Sequence, residues 1–167
     1  MDTGLKELDI YGGNDIIEMI NEIGPGENGY VNDGFNIDNI NYPLYFETKK
    51  RIAHGIDLEE GYVPETIYWL YISGKPVGIG RLRHFLNKKL LHDGGHIGYT
   101  IRPSERGKGY GIIILRELLI KATEKNIEKV LLTPNVANLV SRKIIEKCNG
   151  KLEGINQNIC KYWIDVI

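Results

Sequence analysis

Residues 101–114, "IRPSERGKGYGIII", place three glycines and three cations between two apolar stretches. The segment before them, "GHIGYTI" (95–101), alternates and is rich in β-branched residues, so it is expected to be a strand. The segment after them is helical from Tyr110 to about Glu124, with Leu115, Leu118, Leu119 and Ala122 on one face. A strand that turns through glycines straight into a helix belongs to mixed α/β folds. In open sheets of that kind, ligands bind at the carboxyl ends of strands.

The flanking sequence extends this pattern. "TIYWLYI" (66–72), "SGKP" and "VGIGRLRHF" (77–85) spell a strand, a tight turn and a second strand. "KVLLTP" (129–134) is a short buried strand, and Asn138 to Cys148 an amphipathic helix. "KLEGIN" and "ICKYWIDVI" close the chain as a strand pair whose outer strand offers an edge for a homodimer. Nearer the start, residues 14–23 form a helix capped by Asn14, residues 24–34 a long loop, and residues 40–53 a second helix with Pro43 in its first turn. The expectation is a mixed α/β domain around one central, mostly antiparallel sheet flanked by helices. Within it, residues 95–133 make a parallel strand–helix–strand crossover. Residues 1–60 lie outside this sheet, and residues 65–167 carry it.

At 167 residues the chain fits one domain. A net charge of −1, from 21 Lys and Arg against 22 Asp and Glu, argues against broad nucleic-acid binding. No apolar run is long enough to cross a membrane, and no signal core precedes the first elements, so a cytoplasmic protein is expected. The two cysteines, Cys148 and Cys160, form no ligand cluster and are expected to be buried thiols. His92 and His96 flank two glycines, which argues against a helical metal pair, so no metal is expected.

A helix N-terminus leaves N–H groups unpaired and carries partial positive charge. Glycines let an anion approach that backbone, and Arg106 and Lys108 add charge, so pyrophosphate is the natural guest. Two familiar phosphate loops fail. Gly107-Lys108 is followed by Gly109 rather than Ser or Thr, and position 112 is Ile rather than the last glycine of a dinucleotide fingerprint. What remains is Arg106-x-x-Gly109-x-Gly111.

Residues 95–154, with that loop and the later Asn138-x-x-Ser141 segment, resemble the GNAT superfamily of N-acetyltransferases. The resemblance implies that Arg106, Gly107, Lys108, Gly109, Tyr110 and Gly111 hold the pyrophosphate of acetyl-coenzyme A. It also implies that the strand bearing Tyr99 and Ile101 meets the pantetheine arm, as do Asn138 and Ser141. It departs at position 145, where Ile stands in place of a Tyr that protonates the leaving thiolate in many members.

The resemblance implies transfer of an acetyl group to a primary amine of a small molecule or peptide, by direct attack in a ternary complex. Glu65, at the mouth of the first long strand, and His96, beside the loop, are candidate bases. The acidic stretches at 24–38 and 57–65 suit a cationic acceptor such as a polyamine. A non-catalytic acyl-coenzyme A sensor remains the alternative.

Overall fold

The computed structural model describes residues 3–166; the terminal Ile167 of the expected last strand lies outside them. The hairpin foreseen in "TIYWLYI…VGIGRLR" is β2 (Glu65–Ile72) and β3 (Lys75–Arg83), antiparallel with Glu65 opposite Arg83. On its outer side β2 pairs with β1 (Gly4–Glu7), and β3 pairs with β4 (Ile97–Ile101). The order of this sheet is β1-β2-β3-β4. The short β1 carries no periodic signal, and its strand form depends on the edge that β2 offers.

The two faces of the hairpin divide the core. Tyr68, Leu70 and Leu82 face the rear, where α4 (Tyr110–Glu124) covers them with Ile114, Leu115 and Leu118. Gly80 makes this close fit possible, because a Cβ there would stand 2.9 Å from Leu118 Cδ1. Ile67, Trp69 and Ile79 face the front, under α1 (Asn14–Ile23) and α2 (Tyr42–Ala53). Gly13, not Asn14, occupies the α1 N-cap, and Asn14 instead accepts from Asn39 across the front loop. The linker after β3 contains a short helix, α3 (Lys88–His92), started by the Asn87 side chain accepting the Leu90 N–H.

The main departure from expectation is that the sheet is in two parts. β5 (Lys129–Leu132) pairs with β7 (Ile159–Asp165), which pairs with β6 (Lys151–Asn156), giving a separate sheet of order β5-β7-β6. β4, α4 and β5 form the expected strand–helix–strand unit, yet β4 and β5 share no ladder. They touch where the His96 N–H donates to the Leu131 carbonyl, 2.8 Å, and the Leu131 N–H donates to His96 Nδ1, 3.0 Å. The Gly94 N–H adds a bond to Thr133 Oγ1, 2.8 Å. Beyond this clasp the strands part. α5 (Leu139–Lys147) closes the far side, packing on α4 at Gly111, where a Cβ would stand 2.6 Å from Ile144 Cδ1.

Cys148 and Cys160 are both buried and free. Among the described residues no helix is long and apolar enough to cross a membrane, and no three His, Cys, Asp or Glu side chains gather as metal ligands.

The clasp requires a neutral imidazole, since Nδ1 accepts a bond. Burial first, then the Arg83 charge, pushes the His96 pKa down to about 4. The unfolded chain, with histidine near ~6.5, therefore takes up a proton that the folded chain refuses. Stability present above pH ~6.5 is lost as pH falls toward 4, on the order of 3 kcal/mol. Urea unfolding from neutral to mildly acidic pH should show this decline, and His96→Asn should make the slope shallower, leaving the part that the buried His84 contributes, and should remove part of the stability.

Candidate functional site

Where β4 and β5 part, a cleft of about 630 Å³ runs from the glycine loop to the front of the sheet. The parity of the β3–β4 ladder fixes what the β4 backbone offers it. The Arg83 N–H donates to the His96 carbonyl and the Arg102 N–H to the Val77 carbonyl, so even-numbered residues bond to β3. The backbone groups of Ile97, Tyr99 and Ile101 therefore turn to the open edge.

At one end, the chain leaves β4 through a single 3₁₀ turn, Pro103–Glu105, and enters α4 through the glycines. Gly107 and Gly109 have φ of +77° and +82°, left-handed values that disfavour any side chain. Among the described residues, the five successive N–H groups from Gly107 to Gly111 donate to no protein acceptor. Together with the start of α4 they form a concave array of donors suited to a pyrophosphate.

The three cations of the loop behave differently from the sequence expectation, because each is held by a carboxylate. Arg102 is buried against Glu22 of α1, which also accepts the Ser104 N–H at 2.7 Å. Lys108 pairs with Glu105 at 2.6 Å, and Lys75 does so from β3 at 2.5 Å; these two ammonium groups hold the Glu105 carboxyl down at about 2. Arg106 lines the cleft, with Nε donating to the Ile101 carbonyl at 3.0 Å and Nη2 lying 2.5 Å from Glu27 Oε1. Lys108 does not line the cleft. Its role here is to brace the loop, and the backbone supplies most of the donors.

Along the rear wall stand Tyr99, Ile101, Tyr110, Gly111, Asn138, Ser141 and Ile145. The Asn138 side chain caps α5 by accepting the Ser141 N–H, and Tyr99 Oη lies 3.3 Å from Ser141 Oγ. Burial pushes the Tyr99 phenol up to about 12, so it stays protonated. Every cofactor residue expected from the sequence except Lys108 thus lines one cleft.

The two candidate bases do not line it. Glu65 stands behind Arg81 and Arg83, 3.8 Å from Arg81 Nη1 and 3.5 Å from Arg83 Nε. His96 is committed to the clasp. Of the two acidic stretches that suggested a cationic acceptor, 24–38 reaches the cleft through Glu27 to Val31, whereas in 57–65 Asp57 pairs with Arg51, and Glu59 and Glu60 are exposed away from the cleft. The carboxylates that do line it are Glu27, Asp93 and Glu105, and only Asp93 lacks an ion pair. Asp93 sits at the C-cap of α3, a helix with too little periodicity to announce itself in the sequence.

A donor-lined loop, an open strand edge and a through-going cleft suit a long pyrophosphate-bearing molecule laid along β4. Residues 33–150 match the acetyltransferase (GNAT) family, and the chain belongs to it: an acetyltransferase family whose co-substrate is acetyl-coenzyme A. No protein of curated function matches by sequence. Among solved structures, an N-acetyltransferase from Staphylococcus aureus Mu50 is similar at 19% identity and a TM-score of 0.65, with all of both chains covered. The Campylobacter jejuni N-acetyltransferase PseH, in complex with acetyl coenzyme A, is similar at 12% identity and a TM-score of 0.66, with 98% of each chain covered. The spermidine/spermine N-acetyltransferase SpeG from Vibrio cholerae is similar at 17% identity and 0.62, covering 99% of this chain and 95% of that one.

The loop makes opposite demands at two positions. Gly109→Ala puts a side chain where the backbone is left-handed, costing ~1–2 kcal/mol and distorting the donor array, so coenzyme A should bind about tenfold more weakly. Glu27→Gln frees Arg106 from its carboxylate and should tighten binding several-fold. Calorimetric titration of coenzyme A into each variant checks both signs.

Proposed function

We propose that the protein is an N-acetyltransferase that moves the acetyl group of acetyl-coenzyme A to a primary amine of a small molecule or peptide. The observation that carries this reading is the cleft itself. Its donor-lined end suits a pyrophosphate, and its course along the open edge of β4 leads to a front chamber lined by Tyr30, Val31, Arg81, Arg83 and Asp93. The same residues, Arg106 to Gly111 with Tyr99, Ile101, Asn138 and Ser141, are those the sequence assigns to the coenzyme, with Lys108 bracing Glu105.

Both substrates sit in the cleft together and the amine attacks the thioester carbonyl directly. A β4 backbone N–H polarises the carbonyl oxygen, the carbon–sulfur bond breaks, and the amine loses one proton. Asp93, which is free of ion pairs and lines the front chamber, receives that proton directly or through water. The departing group is a thiolate, a far better leaving group than an alkoxide, and it leaves without a tyrosine at position 145. Tyr99, held protonated beside Ser141, is a hydroxyl donor on the rear wall. Holding two reactants in register lowers such barriers by ~7–11 kcal/mol in good cases, so positioning supplies most of the rate.

Ile145 favours the alternative of a coenzyme sensor without turnover. Release of free thiol from acetyl-coenzyme A, followed with and without a panel of amines, separates the two: amine-dependent release with an acetylated product supports the transferase, and binding without release supports the sensor. Asp93→Asn should lower kcat/KM by ~10²–10⁴ at neutral pH, with the deficit shrinking at alkaline pH as free amine becomes abundant.

A further inference from the structure

Arg81 and Arg83 lie two residues apart on β3, so both side chains leave the front face of the sheet, and both line the cleft. Each is held in place. Arg81 donates through Nη2 to the Val31 carbonyl at 2.9 Å and lies 4.8 Å from the centre of the Tyr30 ring. Opposite it in the ladder is Gly98, where a Cβ would stand 3.2 Å from Arg81 Cγ. Arg83 donates through Nη1 to the carbonyls of Gly94 and Gly95, at 2.8 and 3.1 Å. These contacts fix two guanidinium forks without neutralising them.

The carboxylates around them stand off. Glu65 is shared between both arginines, at 3.8 and 3.5 Å. Asp33 approaches Arg81 only to 4.0 Å and is gripped by Lys49. Among the described residues, neither guanidinium therefore hydrogen-bonds a carboxylate. Arg81 Nε is also buried with no acceptor, a state that native structures rarely leave without a use. Asp93 lines the same chamber, where its charge reaches Arg83, and among the described residues it makes no ion pair.

We propose that the acceptor carries an anionic group, a carboxylate or a phosphate, besides its amine, and that Arg81 and Arg83 hold that group. This inference rests on the acetyltransferase reading of the cleft. Fixed guanidinium forks match the oxygens of carboxylate and phosphate. The ammonium end of such a molecule is drawn to Asp93, where its proton leaves. A polyamine would instead bring a second cation against the two arginines, so the chamber selects against it.

The test is calorimetric titration into the protein saturated with coenzyme A, using β-alanine against ethylamine and ethylenediamine, and phosphoethanolamine against ethanolamine. At least one acid should bind about tenfold or more tightly than its neutral and dicationic counterparts, and which acid does so tells carboxylate from phosphate. Arg83→Gln should erase the preference while coenzyme A affinity stays within about twofold. Glu65→Gln removes the shared counter-charge and should tighten acid binding, a gain that a merely structural role for the cluster would not produce. Equal or tighter binding of ethylamine or ethylenediamine overturns the proposal. So does acid binding that survives both Arg81→Gln and Arg83→Gln, or no binding of either acid. Failure of the underlying reading is distinguishable, because the first titration would then show no uptake of coenzyme A.

Discussion

The separation of β4 from β5 beyond the His96–Leu131 clasp is the constraint on which the rest of the structure depends. Two strands at that spacing would ordinarily satisfy each other's backbone along their whole length. Here the pairing stops after one exchange of bonds, with the His96 ring accepting the N–H of Leu131 and the Thr133 hydroxyl accepting that of Gly94. The open edge of β4 becomes the floor of the cleft, and the clasp anchors its apex. A protonated His96 cannot accept the Leu131 bond, so the geometry of the cleft and the acid stability of the fold depend on one imidazole.

Close packing behind the sheet holds this opening in shape. Gly80 brings α4 against β3, and Gly111 brings α5 against α4, each at a distance that a methyl group would prevent. The glycines of the loop therefore divide by task. Gly107 and Gly109 supply left-handed backbone for the donor array, whereas Gly111 serves the contact between the two helices.

Electrostatically, the coenzyme end and the front chamber meet on one segment. Glu27 reaches Arg106 in the glycine loop, while Tyr30 and the Val31 carbonyl hold Arg81 in the chamber. The segment from Glu27 to Val31 thus touches both ends of the cleft.

The strands, the helices and the glycine loop were legible in the sequence because each is encoded locally. Alternation marks β2, β3 and β4, helical spacing marks α4, and Gly107 and Gly109 stand where only glycine fits easily. β1 and α3 escaped notice, being too short to show a period and dependent on neighbours for their form. The family, and the placing of Arg106, Tyr99, Asn138 and Ser141 together, followed from a resemblance carried by one continuous stretch, residues 95–154. Charge pairing did not, because partners such as Arg102 and Glu22 lie 80 residues apart. Hence Lys108 braces Glu105, Glu65 stands behind the arginines, and Asp93 faces the chamber unannounced. By itself the sequence determined most of the strands and helices and marked a glycine loop suited to a pyrophosphate, since backbone conformation answers to neighbouring residues. Only the tertiary structure decided which charges are spent on one another and which face the cleft, since that depends on distances between segments remote in sequence.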